Sequence, residues 1–224
     1  MCFSAGASFA VGAGLAVPGY YSVSSAKSRG MLLFASTPLL FCFHQLAEGC
    51  LWLSLQQPEF AGMYKPALYG YSFISQPLWP VWVPLAMWLM EPRDWNRKIL
   101  FILLLLGIGS SLYMFYCLVS YPIAATANEG HIRYFREFPH LNIMRPINFL
   151  TIAVTPFFSS LRYTKWLAAG MMIALIIAYF IFKLYFISVW CFFAAVISPL
   201  IILVVRANQS SSNGLQHAAP ATVI

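Results

Sequence analysis

His44 and Glu48 stand one helical turn apart on a stretch that is otherwise apolar. Residues four apart on a helix have Cβ atoms about 5–6 Å from each other, so both side chains can grip one ion or one another. A neutral imidazole and a carboxylate are common zinc ligands, and a catalytic zinc takes three protein ligands and a water. Such a metal lowers the pKa of its water to about 7 and makes hydroxide at neutral pH. A lone membrane carboxyl can instead relay protons or bind a cation, and the same pair can also be a hydrogen-bonded couple that fixes helix packing. Each ionisable group in a bilayer costs roughly 2.5–3.5 kcal/mol on insertion scales, so it seldom persists there without a task or partner. Glu48 is the only acidic residue in the apolar segments of the chain.

A helical period places Thr37, His44 and Glu48 on one stripe, with Trp52 bordering it a turn beyond Glu48. Cys42 and Cys50 fall on other faces. The metal set expected on these grounds is His44, Glu48, His131 and Cys2, with zinc as the cofactor. Glu48 and Ser188 are the candidate catalytic residues. Cys191 and Trp190 lie beside Ser188 in sequence, and Tyr134 belongs to the loop that carries His131. Between Ser75 and Pro84 the prolines at 77, 80 and 84 must bend or break a helix. Broken backbone at membrane depth persists only against protein or a water-filled cavity, so Trp79 and Trp82 are expected on a cavity wall. Thr37, Trp52, Tyr134, Trp190 and Cys191 complete that lining. Asn148, Thr151, Thr155 and Ser159 form a polar stripe of the kind that hydrogen-bonds between helices.

The elements that must hold these residues follow from composition. Of 224 residues, 61% are hydrophobic and 8% charged, against about 25% charged in a soluble domain. The net charge of +7 comes from few residues that flank helix ends, so it sets topology rather than marking a nucleic-acid partner. Seven segments approach the roughly 17–25 residues a span needs: 4–25, 31–55, 67–90, 99–120, 146–161, 166–182 and 184–205. The fold class expected is all-α, a polytopic bundle of seven transmembrane helices over residues 1–206, followed by a disordered polar tail at 207–224. Lys27, Arg29, Arg93, Arg97, Lys98, Arg162, Lys165 and Arg206 fall on one side, against Lys65, Arg133, Arg136, Arg145 and Lys183 on the other. That bias puts the N-terminus outside. His44, Glu48, Cys2, His131, His140, Ser188 and Cys191 then gather towards the outer face. The long connection 121–145 carries Tyr134, Phe135 and Phe138 and is expected to pack. The five cysteines show neither CxxC nor zinc-ribbon spacing, which argues against a disulfide framework.

Several runs recur together: Met-Cys-Phe-Ser-Ala at 1–5, His-Gln-Leu-Ala-Glu-Gly-Cys-Leu-Trp-Leu at 44–53, Trp-Pro-Val-Trp-Val-Pro at 79–84, Gly-His-Ile-Arg-Tyr at 130–134 and Ser-Val-Trp-Cys-Phe-Phe-Ala-Ala at 188–195. In these the chain resembles an uncharacterised family of bacterial multi-pass membrane proteins that open with Met-Cys-Phe-Ser. The resemblance implies a multi-helix membrane protein and carries no activity with it. The leading expectation is a zinc-dependent hydrolase or hydratase of the bacterial inner membrane, with membrane lipid as a partner and a small molecule or lipid as substrate. The rival expectations are a proton- or ion-coupled transporter or channel with Glu48 as the relay, and a ligand-binding membrane subunit without turnover. Either leaves room for an oligomer.

Overall fold

The computed structural model describes residues 4–128 and 130–209. Helix α1 (Ala5–Ser24) is started by Ser4, whose hydroxyl accepts from the Ala7 N–H at 3.2 Å. Helices α2 (Arg29–Ala35) and α3 (Thr37–Gln56) run on through a single joint at Ser36, with Pro38 in the first turn of α3, where its missing N–H costs nothing. A 3-10 turn, Pro58–Met63, leads into α4 (Tyr64–Phe73). A widened π turn at Ile74–Leu78 joins α4 to α5 (Trp79–Met90). Helix α6 (Asp94–Ser120) follows, then strands β1 (Ile123–Asn128) and β2 (His131–Arg136), then α7 (Leu141–Val154). The chain closes with α8 (Thr164–Ile181), α9 (Phe186–Ile197) and α10 (Ile201–Ala207).

Among the described residues, four helical stretches are long and apolar enough to cross a membrane: Arg29–Gln56, Asp94–Ser120, Thr164–Ile181 and Phe186–Ala207. The expected count of seven is not reached by that measure, for reasons of length and composition. At about 1.5 Å per residue, the 14 residues of α7 reach roughly 21 Å, short of a hydrocarbon core of about 30 Å. The third segment is divided into α4 and α5, and α1 is long enough but rich in Gly, Ala and Ser.

The all-α expectation is corrected by the hairpin. Strands β1 and β2 pair antiparallel from Ile123↔Arg136 to Asn128↔His131, and Gly130 turns the chain at φ 74°. The side chains alternate as a half-buried hairpin requires: Ala125, Ile132 and Arg136 face in, while Thr126, Arg133 and Phe135 face out. The Tyr64 hydroxyl pins the outer edge of β1, accepting from the Ala125 N–H at 2.9 Å and facing the Ala125 carbonyl at 3.3 Å. The hairpin lies over the end of the bundle where Ala5, Trp52 and Leu68 pack with Ala125 and Ile132.

The prolines of the third segment free carbonyl groups, and neighbouring helices use them. Pro80 cannot donate to the carbonyl of Gln76, which instead accepts from Asn148 Nδ2 at 3.3 Å. Ser110 in turn donates to Asn148 Oδ1 at 3.3 Å, and Ser111 donates to the Pro77 carbonyl. Pro84 likewise frees the Pro80 carbonyl, and Gly107 of α6 lies so close to it that a Cβ there would collide. Of the polar stripe at 148–159, Asn148 takes up a freed carbonyl in this way, and Ser159 reaches across to the Glu91 carboxylate at 2.9 Å. Thr151 and Thr155 donate to carbonyls one turn back, at 2.7 and 2.6 Å.

The opposite end of the bundle is tied by a second buried carboxyl, Glu91. Its oxygens accept from the Ser159 hydroxyl at 2.9 Å, the Ser160 N–H at 2.8 Å and the Arg93 N–H at 3.3 Å, and from the Ser160 hydroxyl. Nearby, Asn208 accepts from the Arg162 N–H at 3.0 Å and donates to the Arg162 carbonyl at 3.2 Å. Gln209 donates to the Ser25 carbonyl at 2.7 Å. The start of the segment read as a disordered tail is thus docked on the bundle, and residues 210–224 lie outside the described residues.

Candidate functional site

Glu48 is wholly buried on α3, about 12 Å from the hairpin-side end of that helix at 1.5 Å per residue. Gly49, the next residue, packs against Phe9 so tightly that a Cβ would clash, which holds α1 and α3 together here. The Glu48 carboxyl turns towards α9, where the Ser188 hydroxyl donates to its Oε1 at 2.7 Å. Ser188 sits in the first turn of α9, so the positive end of that helix dipole faces the carboxyl. Cys191, almost one turn further along α9, is buried beside Glu48, Tyr71 and Arg136.

His44 takes a different direction. Its imidazole stacks on the Tyr71 ring with centroids 4.2 Å apart. The main chain at Tyr71 approaches the imidazole, but neither ring nitrogen reaches hydrogen-bond geometry with a partner among the described residues. The pair read from the sequence as a possible mutual couple is therefore split: His44 and Glu48 do not hydrogen-bond each other. Tyr71 stacks in turn on Tyr134 of β2, at 4.7 Å and nearly parallel. Above Tyr134 lies the Arg136 guanidinium, 5.2 Å from the ring centroid. Arg136 donates to Ser72 Oγ at 3.0 Å, and burial pushes its guanidinium down to about 10, which leaves it charged at neutral pH. A ladder of rings and a cation thus runs His44, Tyr71, Tyr134, Arg136, from α3 through α4 to the hairpin.

The remaining sequence candidates fall in three places. Thr37, Trp79, Trp190 and Cys191 line a narrow, almost entirely apolar cavity of about 40 Å3, room for a water or two. Trp79 stacks on Phe41 at 4.4 Å, Trp190 meets Phe149 edge-on at 4.7 Å, and Trp82 Nε1 donates to Thr37 Oγ1 at 3.2 Å. Trp52 packs in the cluster under the hairpin, away from that cavity. His131 stacks on Tyr185 at 4.5 Å and leans on Phe182, at the hairpin tip rather than beside His44. Cys2 lies outside the described residues. Among the described residues, no group of three or more His, Cys, Asp or Glu side chains is placed to hold a metal ion; of the expected metal set, His44 and Glu48 share one helix a turn apart without bonding each other. The described cysteines 42, 50, 117 and 191 are free thiols.

Sequence reasoning missed Tyr71, Arg136 and Glu91. Arg136 was counted as a loop cation, yet it follows Ile132 and Tyr134 at the two-residue period of a strand face, and that alternation was the available signal. Glu91 stands just past an apolar segment, and no local pattern announces its serine partners 68 and 69 residues away. Tyr71 is one more aromatic in an aromatic-rich helix, with no sequence mark of its place.

Comparison with known proteins adds one assignment. Neither a curated protein nor a solved structure matches this chain. A family model described as Family of unknown function (DUF6629) matches residues 1–216, and the chain belongs to that family.

Proposed function

We propose that this is an integral membrane protein of the bacterial inner membrane in which Glu48 takes up and releases a proton, as the relay of a proton- or cation-coupled carrier. The observation that carries the reading is the buried contact of Glu48 with Ser188, two helices meeting at a carboxyl inside the bundle. An ionisable group so placed is a functional residue by default. Groups able to bind or pass a proton adjoin it: the Ser188 hydroxyl and the Cys191 thiol, and the Tyr71 phenol meets that thiol. Towards the hairpin the stacked rings continue through Tyr134 to the buried Arg136, a fixed positive charge near the carboxyl.

In this reading the chain crosses the membrane seven times, with its N-terminus and hairpin outside. Ties at opposite ends of the bundle support an odd number of crossings. Ala5 packs beneath the hairpin, while Gln209 bonds Ser25 at the far end. The other segments are shielded on part of their surface by the four long apolar stretches: α1 packs on α3, α5 on α2 and α6, and α7 on α6 and α8.

The experiment is proton movement into liposomes carrying the purified protein under an imposed pH gradient. Glu48→Gln is expected to reduce the flux about tenfold or more while the protein remains folded. Flux unchanged in that variant contradicts the relay.

A second reading, a zinc-dependent hydrolase or hydratase, keeps one specific support: the buried imidazole of His44, without a hydrogen-bond partner among the described residues, one turn from Glu48. Such a metal would supply a hydroxide at neutral pH. Its further ligands would have to come from outside the pair, with Cys2 as the sequence candidate. Metal analysis of the purified protein separates the two readings.

A further inference from the structure

A groove of about 370 Å3 runs between α7 and α8, lined by Arg145, Phe149, Leu150, Leu175, Ile176 and Phe180 among others. That size falls within the roughly 300–1,000 Å3 typical of ligand sites. Its long walls are apolar, and it holds one charged side chain, Arg145. From Phe180 near the hairpin end of α8 down to Met172 it extends roughly 12 Å along the helix.

Arg145 closes the hairpin end. It stands in the second turn of α7. Its Nε is buried and has no hydrogen-bond partner among the described residues. The Arg136 guanidinium is near enough for the two cations to repel each other. No acidic side chain lines the groove to offset them. A cation with an unused donor at the mouth of a lengthwise apolar groove is complementary to a molecule with an anionic head and a hydrocarbon tail.

We propose that this groove is a binding site for an anionic phospholipid, its phosphate gripped by Arg145 and one acyl chain lying between Leu150 on α7 and Ile176 on α8. Arginine suits this task because its planar fork can donate two parallel hydrogen bonds to phosphate oxygens. The proposal rests on the membrane reading given above and not on the role of Glu48.

The test is lipid retention by the detergent-purified full chain, read by native mass spectrometry, with phosphatidylglycerol and phosphatidylcholine of identical acyl chains offered in turn and inorganic phosphate offered alone. The expected result is retention of phosphatidylglycerol, bound roughly tenfold more tightly than phosphatidylcholine. Arg145→Gln is expected to abolish that preference while the protein stays monodisperse. Ile176→Trp, which fills the groove and leaves the arginine, is expected to weaken both lipids. Equal retention of the two lipids, or a preference that survives Arg145→Gln, overturns the proposal. So does phosphate that binds alone as well as the lipid does. Glu48→Gln protein should retain the lipid like the wild type, which keeps this outcome separate from the fate of the relay. Release of the chain from membranes by an alkaline wash would instead overturn the membrane reading on which both depend.

Discussion

The Ser188 hydroxyl donates to Glu48 Oε1 across 2.7 Å, joining α3 to α9 through two residues 140 positions apart. Nothing local in either helix dictates that bond. It follows from the stacking of the bundle, which carries the first turn of α9 to the level of Glu48.

Removal of the Ser188 hydroxyl should therefore be felt in stability as well as in activity. Ser188→Ala leaves Glu48 Oε1 without this donor in a buried setting, at a cost of about 1–3 kcal/mol. Thermal unfolding in detergent should show a lower midpoint for Ser188→Ala, and a smaller loss for Ser188→Thr. An unchanged midpoint in the alanine variant would mean that the contact carries no weight.

Glu91 should prove to be structural. Four donors from Arg93, Ser159 and Ser160 converge on its two oxygens at the end of the bundle away from the hairpin. Glu91→Ala strands them and should cost about 3 kcal/mol or more, seen as a large drop in the yield of folded protein. Proton flux per folded molecule should remain as in the wild type, in contrast to Glu48→Gln. A Glu91 variant that folds normally but loses flux would reverse the assignment of the two carboxyls.

The hairpin should be held by Tyr64. Tyr64→Phe removes the two hydrogen bonds that tie the outer edge of β1 at Ala125 to α4, and should raise amide exchange across 123–136 while lowering overall stability by only about 1 kcal/mol. Exchange confined to wild-type rates would show that the packing of Ile132 and Ala125 suffices by itself.

The positions of the helices were largely legible from the run of apolar residues, because burial and membrane insertion both write themselves into continuous hydropathy. The breaks at Ser36 and at Pro77 were half legible: three prolines announce a disturbed helix, but not that Asn148 and Ser111 would take up the freed carbonyls. The hairpin was missed because its strands are short and one of its inward positions is an arginine, which reads as solvent-exposed. For the same reason the partners of Glu48 were only half seen. Ser188 and Cys191 stood out by type within an apolar helix, while Tyr71 and Arg136 reach the site only through long-range contacts. The expected convergence of His131 with His44 did not form, since the inward face of β2 belongs to Ile132, Tyr134 and Arg136, and His131 ends up stacked on Tyr185.

His44 gives the sharpest discrimination between the relay and the metal. Purified wild-type protein carrying about one zinc per chain, lost in His44→Ala, would favour the hydrolase reading. The relay predicts metal-free protein that still moves protons, with His44→Ala altering the rate through the loss of its stack on Tyr71.

The most direct measurement is an infrared difference spectrum of the membrane-embedded protein titrated with pH, taken on the wild type and on Glu48→Gln. The relay predicts a carboxyl band that appears and disappears reversibly with pH in the wild type and is missing from the variant. A spectrum identical in the two proteins would mean that Glu48 does not exchange a proton, and the account would fail.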